Sequence, residues 1–150
     1  MRKFLVLFIT FFIFQGCMVS QSKKIKNISF QVLDSGSYSN VADKSIKLVN
    51  DQKEFDLLFS KIYGTGIKVP FDYSIECSYI FIFFKEQASG GLNYKVTNVT
   101  QNNDSINIYL DVVKNDDIPT ISTMAISHPF IVLKIGKSQA NDINVLLTND

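Results

Sequence analysis

The chain has no tryptophan, one arginine, one histidine, two cysteines and three prolines among its 150 residues. Each scarcity excludes something. The single arginine is Arg2, so every basic side chain after it is a histidine or lysine. Nucleic-acid recognition relies on clustered basic residues and on bidentate arginine contacts, and that class is set aside. With His128 alone, and no nucleophile-elbow pattern around any serine, a Ser-His-Asp hydrolase has no support in the sequence. A His/Cys metal cluster cannot be assembled either, and Asp104, Asp111, Asp116 and Asp117 lack the alternating spacing of a calcium loop. No metal, cofactor or catalytic residue is expected, and the chain reads as a non-enzyme.

Charge and aromatic content are unremarkable by contrast. Formal net charge is +1, with 46% hydrophobic and 13% aromatic residues. This composition suits one globular, strand-rich domain and argues against disorder.

The amino terminus carries the sharpest local signal. Met1-Arg2-Lys3 is basic, Phe4 to Phe14 is apolar except for Thr10, and Gln15-Gly16-Cys17 follows. The apolar run is shorter than the roughly 18 residues of a membrane span and has the length of a signal-peptide core. A small residue directly before a cysteine at this point resembles the lipobox of bacterial lipoproteins. That resemblance implies cleavage after residue 16 and acylation of Cys17, palmitate-type chains included. It implies a membrane anchor and a bacterial cell-envelope location, facing the periplasm or the surface. Removing Arg2 and Lys3 takes 15 basic residues to 13 against 14 acidic, a net charge of −1. Residues 17–27 read as a polar tether and residues 28–150 as a single domain. Cys77 is then the remaining cysteine, with no partner for an internal disulfide. It leads an apolar run and reads as an inert core residue.

Within the domain, Tyr79 to Phe84 is continuously apolar and reads as a strand buried on both faces, in the middle of its sheet. Ile28 to Leu33 alternates and reads as a first strand with Ile28, Phe30 and Val32 inward. Ser45 to Val49 is a second. Asp51 and Glu54 form a capping pattern, and Phe55, Leu58, Phe59 and Ile62 share one helical stripe that Gly64 and Gly66 end. The spacing thus predicts one amphipathic helix at about 51–62. Further strands are expected at 94–100, 106–113, 129–135 and 143–147, with a tight turn at 101–105. The fold class is α+β, mostly antiparallel β, as a meander or sandwich-like sheet with one helix on a face.

If 77–84, 94–100, 106–113 and 129–135 run as a meander, the connections 85–92 and 114–128 leave from one rim. Two long loops on one edge make that rim the expected binding surface. Gly90-Gly91 has no following Lys-Ser/Thr, so it is not a phosphate loop. A tight turn and a close backbone approach by a partner both remain open for it.

Ser37-Tyr38-Ser39, the helix from Asp51 to Phe59, Phe71-Asp72, Ser89-Gly90-Gly91 with Tyr94, and Thr123 through His128-Pro129-Phe130 occur in a meaningful order. Together they resemble the C-terminal domain of PrcB-type protease-complex subunits, over about residues 30–136. This sequence differs in having Phe55 and Phe59 where tryptophan is common, Asn40 for a turn glycine, and Leu92-Asn93 between the glycines and Tyr94. The resemblance implies an accessory subunit that binds and stabilises a protein partner, such as a secreted or surface protease. Ser89, Gly90, Gly91, Tyr94, Thr123 and His128 are the candidate partner-contacting residues. The glycine-containing loop also looks somewhat like the rim loop of chagasin-type inhibitors, so a loop-insertion protease inhibitor is the alternative.

Overall fold

A computed structural model describes residues 25–67, 71–87, 92–114 and 126–148. The Cys17 anchor, most of the tether, and Ser89, Gly90, Gly91 and Thr123 lie outside these described residues. The elements are β1 (Lys26–Asn27), β2 (Phe30–Gly36), β3 (Ser45–Val49), α1 (Gln52–Tyr63), β4 (Cys77–Phe83), β5 (Leu92–Gln101), β6 (Ser105–Lys114), β7 (Phe130–Gly136) and β8 (Asp142–Leu147). They form two four-stranded sheets, ordered β1-β5-β6-β8 and β2-β7-β4-β3. All pairings are antiparallel except β6 with β8.

The unbroken apolar run of β4 is explained by three layers. Ile80, Ile82 and Phe84 point into the core between the sheets, against Val96, Val99, Ile106, Ile108 and Leu110. Tyr79, Phe81 and Phe83 point the other way, into a second core under α1 with Phe55, Leu58 and Phe59. From Tyr79 to Phe83 every residue is at most 1% exposed. With β7 on one side and β3 on the other, β4 is an inner strand.

The meander expected from the sequence is not the strand order. β4 pairs with β3 and β7, and β5 with β1 and β6, so the chain changes sheet between β4 and β5 and again between β6 and β7. The reason is that β4 needs apolar cover on both faces. The alternating β6, with Ile106, Ile108 and Leu110 buried and Asn107, Tyr109 and Asp111 partly exposed, supplies only one apolar face. It therefore belongs in an outer layer, while β7 buries both of its faces beside β4.

Two smaller differences concern the first strand. It begins at Phe30 rather than Ile28, after the two-residue β1, and a register shift falls between Val32 and Asp34. That bulge leaves Val32 43% exposed and turns Leu33 toward the helix-side core, reversing the alternation expected there. Cys77, expected in the core, is half-buried at the margin of that same cluster.

The helix ends follow the sequence closely. The Asp51 carboxylate accepts hydrogen bonds from the Lys53 and Glu54 backbone N–H groups, at 3.0 and 3.1 Å. Such a cap is worth about 1 kcal/mol. Gly64 ends the helix at φ 90°, a conformation that favours glycine, and its N–H donates to the Ser60 carbonyl.

Tyr73 closes the helix-side core. Its ring stacks 5.4 Å from that of Tyr79, and its hydroxyl donates to the Asn50 carbonyl at 2.5 Å. Desolvation, then the charge of Asp51 and the neighbouring Tyr79, hold its pKa above the ordinary 10.0. The folded chain therefore keeps this proton longer than the unfolded chain does. The associated stability is present below pH 10 and is lost as pH rises through the raised value. In alkaline titrations followed by circular dichroism, stability should fall above pH 10, and Tyr73→Phe should flatten that part of the profile. An unchanged slope would remove Tyr73 as its source.

Candidate functional site

The described ends of the two long connections converge. Gln87 and Ser127 exchange backbone hydrogen bonds, both at 3.0 Å, as an isolated antiparallel bridge. One step inward, the Phe84 N–H donates to the Pro129 carbonyl at 2.9 Å, and Phe83 faces Phe130 in the β4–β7 ladder. In the other sheet the same end carries the Leu92 and Lys114 pair. The Asn102–Ser105 turn, which closes the β5–β6 hairpin, lies at the opposite pole.

A third segment joins this rim from β2. The His128 N–H donates to the Ser37 carbonyl at 2.9 Å, and the Ser39 hydroxyl donates to the His128 carbonyl at 3.1 Å. The Glu86 N–H reaches the Ala42 carbonyl at 3.4 Å. Ser39 and Ser127 are buried, so the sequence after β2, the start of the 85–92 connection and the end of the 114–128 connection form one hydrogen-bonded frame. Gly36 lets this frame close, because a Cβ there would sit 2.8 Å from the Phe130 ring.

Of the six candidate contact residues, Tyr94 and His128 can be placed. Tyr94, at the start of β5, stacks on Phe84 with ring centroids 4.0 Å apart and planes within 7°. Its hydroxyl accepts from Gln87 Nε2 at 2.6 Å. The His128 side chain is 26% exposed, with Nε2 3.6 Å from a Glu86 carboxylate oxygen. Both residues therefore lie at one rim, Tyr94 through Gln87 and His128 through Glu86.

Gln87 and Glu86 are the site residues that sequence reasoning missed. They sit in a polar break after a strand, which reads only as a turn. Gln87 Oε1 and His128 Nε2 are buried with no hydrogen-bond partner among the described residues. Leaving such a group unpaired costs about 1–3 kcal/mol. The Ser39 hydroxyl donates to the His128 backbone carbonyl rather than to the imidazole. Among the described residues, no three His, Cys, Asp or Glu side chains gather as a metal site.

Comparison with known proteins adds one match. Residues 78–136 match the family model described as PrcB C-terminal. No curated protein and no solved structure gives a match. The matched segment starts in β4 and ends with β7, so it contains the innermost strands of both sheets and the two connections that meet at the rim. The residues N-terminal to β4 that share the family's motif order, Ser37 to Asp72, lie outside it. From β4 to β7, the chain is similar to the PrcB C-terminal family.

Proposed function

We propose that this chain is a lipid-anchored, non-enzymatic accessory subunit of the cell envelope that engages and stabilises a protein partner, a secreted or surface protease being the partner class the family points to. The rim formed by 85–92 and 114–128 is the contact surface. The observation that carries the proposal is the coincidence of the family match with the segment bearing both rim connections, whose ends are bonded together at Gln87 and Ser127. A frame fixed in this way holds the described ends of the two connections together, which lowers the ordering cost of binding. Neither the match nor the rim geometry favours the loop-insertion inhibitor.

The test is capture from envelope extract with the full chain bearing a C-terminal affinity tag. One specific partner should be retained, and His128→Ala with Tyr94→Ala should cut its recovery by about tenfold or more, as loss of central contacts does. Thermal melts would show that the variant still folds. Recovery of the same partner by the double variant overturns the rim as the contact surface. Separately, Cys17→Ser should move the protein from the membrane fraction to the soluble fraction, and unchanged fractionation overturns the anchor.

A further inference from the structure

His128 is tied into the frame at the rim by its backbone but not by its side chain. Its N–H and carbonyl are held by Ser37 and Ser39, at 2.9 and 3.1 Å. Its ring nitrogen Nε2 is enclosed, has no hydrogen-bond partner among the described residues, and lies 3.6 Å from a Glu86 carboxylate oxygen. That separation is too long for a hydrogen bond, yet a small adjustment of the Glu86 side chain would close it. The two residues flank the antiparallel bridge, Glu86 preceding Gln87 and His128 following Ser127. They are therefore cross-strand neighbours on the rung beside it, a placement in which opposite charges attract.

Other ionisable groups come to this place from three sides. Lys85 precedes Glu86 in the chain. Asp43 and Lys44 follow Ala42, whose carbonyl receives the Glu86 N–H. Lys61, at the end of α1, gives its carbonyl to the Asn40 N–H, and Tyr94 reaches the bridge through Gln87. Asp43, Lys44, Lys61 and Lys85 are exposed, where water and salt screen them. Among the described residues, Glu86 is the acid within ion-pair distance of the ring.

Histidine is the side chain that ordinarily gains charge between about pH 8 and 5, an interval over which glutamate ordinarily keeps its own. A neutral ring carries a proton on one nitrogen, whereas a charged ring carries one on each. Charging thus places an N–H on Nε2, facing Glu86. The carboxylate supplies the counter-charge that an enclosed imidazolium needs. We infer that the rim carries a proton-operated latch: acidification charges His128, the ring pairs with Glu86, and the Gln87–Ser127 bridge opens less often. On the reading of the rim as the contact surface, its grip on a partner strengthens as pH falls from 8.0 to 5.5. The latch itself does not depend on that reading.

The test is amide hydrogen exchange on the full chain at pH 5.5 and 8.0, with each rate divided by that of an unprotected amide at the same pH. The Gln87 and Ser127 amides should be about threefold better protected at pH 5.5, the size expected of a cross-strand ion pair. The Ser138 amide, bonded to Ser78 at the turn pole, should show no such gain. Glu86→Gln and His128→Gln should each remove the difference. His128 is the single histidine, so its ring proton signals show directly when the ring charges. Equal protection at both pH values overturns the inference. So does an equal gain at Ser138, or a pH effect that survives Glu86→Gln. Partner capture at the same two pH values separates the proposals. A bridge that tightens while no partner is retained overturns the contact surface and leaves the latch, whereas equal capture over a tightening bridge overturns its regulatory role.

Discussion

Phe55→Ala should lower the unfolding free energy by about 3–5 kcal/mol, the range for removing a buried aromatic side chain. Phe55 is 1% exposed and sits where α1 meets the outer face of the inner sheet. Its ring lies 4.6 Å from that of Tyr79, 4.7 Å from Phe59, 5.4 Å from Tyr73 and 5.9 Å from Phe81, with edge-to-face or tilted geometry throughout. Truncation therefore removes buried area and leaves a void bordered by four rings held on three separate segments, which cannot all shift inward. Leu57, on the same helix but 57% exposed, is the control, and Leu57→Ala should stay within about 0.5 kcal/mol. Urea midpoints at constant slope read both. A loss for Phe55→Ala no larger than that of the control would mean that the helix is not seated on β4.

Ser78→Val should be the second most damaging change, since it removes a hydroxyl and adds bulk at a closed site. Ser78 is fully buried at the turn pole. Its hydroxyl donates to Asn50 Oδ1 at 2.6 Å and accepts from the Ser138 N–H at 2.8 Å. Asn50 Nδ2 donates to the Ser138 carbonyl, and the Ser138 hydroxyl accepts from Gln101 Nε2, each at 3.0 Å. The network thereby ties the segment after β3, the start of β4, the β7–β8 turn and the end of β5, which belong to both sheets. Valine strands the Ser138 N–H and the Asn50 oxygen, at about 1–3 kcal/mol for each. Adding Asn50→Leu leaves no Asn50 oxygen to strand but frees the Ser138 carbonyl, so the double variant should lose less than the two single variants together. A double variant as unstable as the sum of its parts would show that the bonds act independently.

What the sequence revealed and what it hid divide along chain separation. The helix, its Asp51 cap and its Gly64 stop come from residues within a few positions of one another, and the 101–105 turn is equally local. Residues 79–84 announced burial on both faces because every position in the run is apolar. Periodicity states which face of a strand is apolar but not which strand lies beside it. The β4–β7 pairing joins Phe83 to Phe130 across a polar stretch that carries no pattern, so the sheet order was illegible. The shared rim follows from the sequence all the same, for a reason that does not depend on strand order. Strands that alternate direction bring the connections after β4 and after β6 to the same pole, whichever sheet each strand joins. Glu86 and Gln87 were hidden for the same reason as the pairing: what distinguishes them is contact with His128 and Tyr94, not local pattern. Val32 misled because a bulge on an edge strand reverses alternation without changing composition.

The way the chain enters the domain has a mechanical consequence. Lys26 faces Gln101 at the turn pole, and β2 then runs from that pole toward the rim, Phe30 opposite Ile135 and Gly36 opposite Phe130. Consider tension applied at Lys26 along the strand axis, away from the rim. It loads the β1–β5 and β2–β7 rungs together in shear, instead of opening them one by one like a zip. On the proposed anchoring, drag from a partner held at the rim would load these rungs in shear and would not peel the domain away from its tethered end.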